Sequence, residues 1–379
     1  MQNHFYAFND NHLMSNNFFE KFSEDTNVKL KLYENYLTEW LPVFIASHNP
    51  ITKNVNILDL FCGPGMDGEG TLGSPLLTLK VLNGYKEIVS RSQVNINLYF
   101  NDRDPDYIEE LKGNIKDFGD ISEKIKINLS NEDFKDFYPE INKITKGSAN
   151  LIFLDQFGIK YVNEEKFIEL SHLPMTDLIF FISSSTFKRF HSDSNVNGVL
   201  GLDSDEIQEM EFYKIHQLVH KAYTEFIPEN HSYGLAPFSI KKGSNVYGLI
   251  FGSGHPLGLE KFLDICWKED EFAGEANFDI HGDEKAVKNP TLFAEQEQKN
   301  MKINVFKSNL EEKVLSGELK TDLDIYLYAL NRGFIGKHIK PVISNLKSER
   351  KISLKYPSFR CNTVWKTERI PKEVKILNQ

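Results

Sequence analysis

Cysteine is scarce in this chain, and its three residues stand far apart. Cys62, Cys266 and Cys361 form neither a Cys-x-x-Cys metal motif nor the even set that predicts a disulfide framework. We therefore expect no metal site, and we expect a reducing compartment, the cytoplasm. Tryptophan is equally rare, with 3 residues among 379, although Phe (29) and Tyr (15) are abundant enough for an aromatic core.

Long hydrophobic runs are also missing. No apolar stretch approaches the length of about 20 residues that crosses a bilayer, and no apolar segment follows a basic start. The sequence therefore predicts no contact with a membrane. A hydrophobic fraction of 40% still suffices for a sizeable core, and 379 residues suggest two domains.

Positive charge is in deficit, because the net charge is -10. The deficit is uneven. Residues 336–379 hold eleven Lys or Arg and three acids, a net charge of +8 against -18 for the rest of the chain. A basic end on an acidic body predicts contact with RNA, DNA or an acidic partner. A solvated lysine-rich tail is the alternative.

The most informative motif is Val-Asn-Ile-Leu-Asp-Leu-Phe-Cys-Gly-Pro-Gly at residues 55–65. Its apolar start has the length of a strand and suits one buried on both faces of a parallel sheet. Gly63 and Gly65 allow a tight turn that a ligand can approach closely. An ordinary strand-to-loop turn is the simpler interpretation, since a short glycine pattern is weak alone.

Further apolar runs alternate with helical segments along the chain. This alternation predicts an α/β fold with a doubly wound, mostly parallel sheet, and ligands at the carboxyl ends of its strands. The predicted strands after the first are 96–100, 124–129, 150–154 and 178–183, with an antiparallel pair at 238–241 and 246–251.

Acids follow three of these strands. Asp102 suits a ribose, because a carboxylate accepts bonds from two hydroxyls, and Asp104 is the second choice. Turn chemistry is the alternative, since Asn-Asp-x-Asp-Pro also begins helices well. A nuclease would use Asp102, Asp104 and Asp106 as metal ligands, but a ribose site and a helix cap explain these residues better.

The predicted domains follow the composition. Residues 1–50 are N-terminal helices, 51–270 form the sheet domain with a helical insertion at about 184–235, and 271–300 are an acidic, irregular linker. Residues 301–379 hold three helical segments. Short strands at 352–354 and 363–365 complete a winged-helix-like domain. Lys29 and Lys31, on the first helix, are expected to be exposed charges.

The Asp-Leu-Phe-x-Gly-x-Gly form resembles the first motif of class I S-adenosylmethionine-dependent methyltransferases, whose fold is Rossmann-like. In that family the glycine turn passes under the methionine part of the cofactor. The resemblance implies that S-adenosylmethionine is bound by the acid, aromatic ring and glycines of the motif and by the acids after the second and third strands, which are Asp59, Phe61, Gly63, Gly65, Asp102 and Asp133. Asp133 is expected at the adenine amino group.

Several motifs in series resemble the three-Cys-motif partner proteins of bacteria over roughly the whole chain. They are residues 59–65, 73–76, 155–158, 247–253, 255–262 and 274–279. That resemblance implies a partner with three cysteines, itself similar to radical S-adenosylmethionine proteins. The family usually has alanine at position 62 and proline at position 156. We expect Cys62 to be a buried small residue and not a nucleophile.

Residues 155–158 resemble the Asp-Pro-Pro-Tyr motif of amino-group methyltransferases. The resemblance implies that Asp155 holds the target amino group and that Phe157 stacks on a base, although Gln156 lacks the fixed φ of proline. Two functions follow. One is a methyltransferase acting on nucleic acid, and the alternative is a non-catalytic component that binds nucleic acid or the partner.

Overall fold

The computed structural model describes residues 24–155, 161–192, 198–289, 291, 293–366 and 368–377. At its centre lies a seven-stranded sheet with the order β3-β2-β1-β4-β5-β7-β6. Strands β1 to β5 are parallel, and β7 runs antiparallel to both β5 and β6. The strands are β1 (Asn54–Asp59), β2 (Asn95–Asn101), β3 (Ile125–Ser130), β4 (Ala149–Leu154), β5 (Thr176–Ile182), β6 (Gly234–Lys242) and β7 (Asn245–Ser253). The predicted doubly wound, mostly parallel sheet is confirmed.

The central strands of the sheet are buried on both faces. Ile57 of β1 packs into one hydrophobic cluster, and its neighbour Leu58 packs into another on the opposite face. This burial explains why the strands read as continuous apolar runs in the sequence. The covering helices are α1 (Glu24–Ile45), α2 (Ser74–Gly84), α3 (Lys86–Arg91), α4 (Pro105–Asp117), α5 (Phe134–Thr145), α6 (Glu164–Ser171), α7 (Ser185–Arg189), α8 (Ser204–Glu209), α9 (Ile215–Glu225) and α10 (Pro256–Glu269).

The strand order reverses at β1, which places the functional edge of the sheet. From β1 the chain passes to β2 and β3 on one side and returns to β4 on the other. Asp59 pairs in register with Phe100 of β2 and Phe153 of β4, so these strands end level with one another. Ligands of open α/β sheets bind at such a reversal, outside the carboxyl ends of the strands.

Helix α1 packs across the sheet through a stripe of aromatic residues. Tyr33, Tyr36 and Trp40 are buried. The Tyr33 hydroxyl lies 2.7 Å from the Thr78 hydroxyl, and the Tyr36 hydroxyl donates to Asp177 at 2.7 Å. These bonds satisfy the polar ends of rings that are otherwise in the core. Only this helix is described in the predicted N-terminal region, since residues 1–23 lie outside the described ranges.

The C-terminal region is a helical bundle with a short ribbon. Its elements are α11 (Asp283–Lys288), α12 (Ala294–Asn300), α13 (Lys302–Leu315), α14 (Asp322–Leu330), α15 (Gly336–Ser348), β8 (Ile352–Ser353), α16 (Cys361–Val364) and β9 (Lys375–Ile376). Two helices therefore lie within the predicted linker, 271–300. Asp283 and Glu284 stand in the first turn of α11, where acids suit the helix dipole.

The predicted second strand of the wing, 363–365, is wrong. β8 pairs with β9 instead, and residues 363 and 364 belong to α16. Cys361 and Val364 are both buried one turn apart, and the Cys361 N–H donates to Glu260 at 2.8 Å. This tertiary contact favours the helix over a strand.

The bundle docks on α10 and shares one hydrophobic core with it. Trp267 of α10 donates from Nε1 to the Gly333 carbonyl at 2.8 Å, and Tyr326 of α14 donates to Glu260 at 2.6 Å. The C-terminal region is therefore packed against the sheet domain. Among the helices of the described residues, none has the length and apolar content to cross a membrane.

Candidate functional site

The glycine turn after β1 has the backbone that only glycine adopts easily. Gly63 has φ +59° and Gly65 has φ +83°. The Gly73 N–H closes the turn by donating to the Gly65 carbonyl at 2.7 Å. A Cβ on Gly65 would lie 2.6 Å from Leu111, whereas a Cβ on Gly63 would meet no atom within 4 Å. The space beside Gly63 is therefore open to a ligand.

Asp59, the last residue of β1, has a buried carboxyl that is only half satisfied. Oδ1 lies 3.4 Å from the Phe61 N–H, which donates to it. Oδ2 has no hydrogen-bond partner among the described residues. The pKa of Asp59 is raised to about 7, chiefly by burial; hydrogen bonds from Ser74 and the Phe61 N–H lower it, and the charges of Asp155 and Asp102 raise it. A buried carboxylate oxygen without a hydrogen bond lowers the stability of the fold. Such an oxygen suits a ligand that carries a hydrogen-bond donor or a positive charge.

Asp102 follows β2 directly and holds the glycine turn in place. Its Oδ2 accepts the Gly63 N–H at 3.0 Å, and its Oδ1 accepts the Asp104 N–H at 3.0 Å. Burial raises the pKa of Asp102, while these two hydrogen bonds lower it. Each oxygen keeps a second lone pair for a ligand hydroxyl. Asp104 accepts from the Asp106 N–H at 3.0 Å and caps α4, as the helix-cap explanation predicts.

Asp155 follows β4 and forms an ion pair with a cation that is distant in the sequence. The Lys29 ammonium forms an ion pair with Asp155 Oδ2. Lys29 is only 8% exposed, and its Nζ lies 4.8 Å from the centre of the Phe181 ring. The prediction that Lys29 is an exposed helix charge is wrong. Lys31, by contrast, is exposed and pairs with Glu269 at 2.6 Å.

The sequence does contain a signal for Lys29. Residues 29, 33, 36 and 40 recur at helical spacing, so Lys29 lies on the stripe of α1 that buries Tyr33, Tyr36 and Trp40. A lysine in such a stripe needs a partner, because a buried ammonium without one is strongly disfavoured. The position of the partner, 126 residues away, is set only by the tertiary fold.

Aromatic rings form one wall near the turn. Phe61 stacks on Phe134 with ring centroids 5.2 Å apart, and Tyr161 lies 5.2 Å from Phe61. Asp133, just before Phe134, accepts the Lys135 N–H at 2.9 Å and so caps α5. Its role toward an adenine group stays a prediction, and so does a ligand contact of Phe61.

The structure thus brings Asp102 and Asp155 each within electrostatic reach of Asp59 beside the turn. Phe157 and Gln156 lie outside the described residues. Cys62 is free and buried, and burial raises the pKa of its thiol, as expected of a small core residue. The described ranges hold no group of His, Cys, Asp or Glu suited to a metal ion.

The charges of the site favour a cationic ligand. The Lys29 ammonium pairs with Asp155, and the Arg103 charge lowers the pKa of Asp102, but one carboxylate oxygen of Asp59 lacks any partner in the described chain. A ligand with a positive charge lowers the free energy of such a cluster by relieving the repulsion among the acids. A polyanionic group at the same place would raise it.

Comparison with known proteins identifies one domain. The GMT-like wHTH domain family matches residues 283–358. This stretch is a winged helix-turn-helix domain. The match begins within the predicted linker and covers α11 to β8 of the C-terminal region. No curated protein matches the chain.

Similar solved structures are methyltransferases. Trm1 from Pyrococcus horikoshii, in complex with S-adenosyl-L-methionine, shares 11% identity at a TM-score of 0.37, over 63% of this chain and 59% of that one. A SAM-dependent methyltransferase from Agrobacterium tumefaciens shares 12% at 0.32, over 60% and 61%. The O-methyltransferase TomG from Streptomyces achromogenes, in complex with SAM, shares 9% at 0.32, over 61% and 90%. The chain therefore spans less than two thirds of the first two proteins.

Proposed function

We propose that this protein is an S-adenosylmethionine-dependent methyltransferase that acts on nucleic acid. The observation that carries the proposal is the buried carboxylate oxygen of Asp59, which lacks a partner in the described chain and stands at the glycine turn. It lies at the carboxyl end of β1, where the strand order reverses, the position at which α/β sheets bind ligands. The α-ammonium group of S-adenosylmethionine would give that oxygen both a donor and a positive charge.

The residues present fit this cofactor. Asp59 would hold the ammonium group, Gly63 and Gly65 would allow the methionine part to lie against the backbone, and Asp102 would accept the ribose hydroxyls. Phe61 and Asp133 would contact the adenosine part, as the resemblance to class I methyltransferases implies. The cofactor supplies an electrophilic methyl group on a positively charged sulfur. The acids of the site would stabilise that positive charge in the bound state.

Asp155 would orient the acceptor. A carboxylate at the end of β4 can accept hydrogen bonds from an amino group on a base, and Phe157 would stack on the ring of that base. Catalysis would then consist mostly of holding the amine in line with the methyl group. A base inside a duplex is inaccessible, so the acceptor would be single-stranded or turned out of its stack. Lys29 forms an ion pair with Asp155 in the described structure. The acceptor would therefore have to displace Lys29 or bind to Asp155 beside it.

The winged helix and the basic end support nucleic acid as the substrate. Residues 336–379 carry a net charge of +8 on an otherwise acidic chain, and phosphates are the natural counter-charge. We further propose that the chain is a three-Cys-motif partner protein that works with a three-cysteine protein similar to radical S-adenosylmethionine enzymes. The three described cysteines are free and buried, which fits a bacterial cytoplasm.

A second candidate function is supported by the same Lys29 contact. If Lys29 stays on Asp155, the acceptor position is blocked, and the protein would be a non-catalytic component that binds nucleic acid or its partner. The two functions share the cofactor site and differ in whether methyl transfer occurs.

Calorimetric titration with S-adenosylmethionine tests the cofactor, and incorporation of labelled methyl into RNA or DNA tests the reaction, with and without the three-cysteine partner. Asp59→Asn should weaken cofactor binding, whereas Asp203→Asn, at the cap of α8, should not. Absence of binding by the wild-type protein would reject the proposal. Binding without transfer under both conditions would favour the second function.

A further inference from the structure

The winged helix carries a groove lined by cations. It lies between α15 and the segment that follows β8, and its volume is about 260 Å³. None of the described residues that line it is acidic. The lining consists of Lys340, Ile343, Ser344, Lys347, Pro357, Ser358, Phe359 and Arg360.

The three cations of this groove have no neutralising acidic partner in the described structure. Within the described ranges, no ion pair forms to Lys340, Lys347 or Arg360, and all three are exposed. Elsewhere in the same domain, Lys351 pairs with Glu349 at 2.8 Å and Lys313 pairs with Glu318 at 2.5 Å. Unpaired cations around a concave surface with two serines favour an anion with several oxygen acceptors, such as a phosphate.

Tyr356 stands immediately before this lining, next to Pro357. It is 90% exposed, so its ring has almost no partner in the protein. Its backbone has φ +50°, a left-handed conformation that side chains other than glycine and asparagine rarely adopt. An exposed aromatic ring held in a strained backbone beside a cationic groove indicates a contact surface, because strain persists where function uses it.

We propose that the groove binds a backbone phosphate and that Tyr356 stacks on an adjacent unpaired base. The winged helix would therefore select single-stranded nucleic acid over a duplex. The inference rests on the proposed function only in taking nucleic acid as the ligand. The ring requires an unpaired nucleotide because a base exposes its flat face only when it is unstacked. The cations alone would bind any polyanion, so Tyr356 supplies the selectivity.

Point variants of the full chain are the proper test. Deleting residues 336–379 would remove α15, and His338 of that helix packs on Trp267 with ring centroids 4.1 Å apart. Such a deletion would uncover the shared core, so a loss of binding would not report on the groove. Fluorescence anisotropy should instead follow binding of labelled 20-nucleotide strands of RNA and DNA, and of the matching duplexes, over a series of salt concentrations.

The expected result is tighter binding of a single strand than of its duplex. Tyr356→Ala should weaken single-strand binding about 5- to 150-fold, the range for loss of one stacked base, and leave the salt dependence unchanged. Tyr356→Phe keeps the ring and should bind like the wild type. The matched control is Phe293→Ala, which removes another ring, 75% exposed, from the same domain.

Loss of a phosphate contact should instead change the salt dependence of binding. Lys340→Ala, or Arg360→Ala, should reduce the slope of log affinity against log salt by about 0.7 on a single strand. Lys143→Ala is the matched control, because Lys143 lies in α5 with a side chain that is 73% exposed, and its slope should equal that of the wild type.

The variant Tyr356→Gly tests whether weaker binding could result from a change in folding. Glycine adopts the left-handed backbone without strain, so this variant should unfold at the same temperature as the wild type or higher, and yet bind weakly. A wild-type chain that binds no nucleic acid would reject the proposed substrate and this inference together. Binding that is unaffected by Tyr356→Ala, or that prefers the duplex, would overturn this inference and leave the proposed function standing.

Discussion

The substitution Asp59→Asn keeps the shape of the side chain and removes its charge. The pKa of Asp59 is raised from 3.8 to about 7 in the fold, chiefly by burial. The folded protein therefore holds a proton that the unfolded chain releases between about pH 4 and pH 7. A raised carboxyl pKa is stabilising below pH 4, and this contribution is lost as the pH rises through 7.

The size of the effect follows from the shift. A difference of about 3 pKa units corresponds to about 4 kcal/mol, since each unit is 1.36 kcal/mol. Above pH 7 the wild-type protein bears this cost in full, because its buried carboxylate is ionised without a ligand. The asparagine variant does not bear it. Asp59→Asn should therefore be more stable at pH 8 by up to about 4 kcal/mol, with the difference vanishing near pH 4.

Urea unfolding at pH 8, 6 and 4.5 measures this difference. Asp203→Asn is the control, because asparagine caps a helix as well as aspartate does, and its stability should match the wild type throughout. An asparagine variant that is less stable at pH 8, or whose difference does not change with pH, would refute the assignment of a strained, buried charge at Asp59.

The same residue sets the pH dependence of ligand binding. A cationic cofactor requires ionised Asp59, so affinity for S-adenosylmethionine in calorimetry should fall about tenfold from pH 6 to pH 5 in the wild type, and stay flat in Asp59→Asn. Asp102→Ala should weaken the same affinity by about 1–3 kcal/mol, the cost of unpaired ribose hydroxyls. Lys29→Met should strengthen it several-fold, because a positive charge leaves the site. Asp155→Ala should abolish incorporation of labelled methyl and weaken cofactor affinity only several-fold, because one negative charge leaves the site. Activity that survives this change would place the acceptor elsewhere.

Much of the sheet can be predicted from the sequence because its central strands are buried on both faces. A strand such as Asn150–Leu154 has no polar interruption after its first residue, and every residue of β4 is buried. The acids that follow β1, β2 and β4 mark the functional edge, since parallel strands end at the same side of the sheet. Local pattern was sufficient for these elements because each forms its own continuous apolar surface.

Local sequence pattern did not predict the strand pairing of the wing or the ion pair between Lys29 and Asp155. β9 is two exposed residues, Lys375–Ile376, with no pattern of its own, and it is a strand only because β8 lies beside it. α16 likewise depends on the contact between Cys361 and Glu260, which are 101 residues apart. Such elements are fixed by tertiary contacts, and a local pattern carries no record of their partners.

The two parts of the proposal, cofactor binding and catalysis, depend on different charged residues near the glycine turn. Lys29 neutralises Asp155 within the protein, but Oδ2 of Asp59 still has no hydrogen-bond partner in the described chain. An asparagine at position 59 would avoid the cost of a buried charge, so the carboxylate is best explained by a cation that the protein binds. The proposal of cofactor binding thus rests on Asp59, whether or not Asp155 takes part in a reaction. The proposed catalysis depends instead on Lys29 leaving Asp155 when an acceptor binds. If Lys29→Met increases methyl transfer, Lys29 blocks the acceptor, whereas loss of transfer would make Lys29 part of the acceptor site.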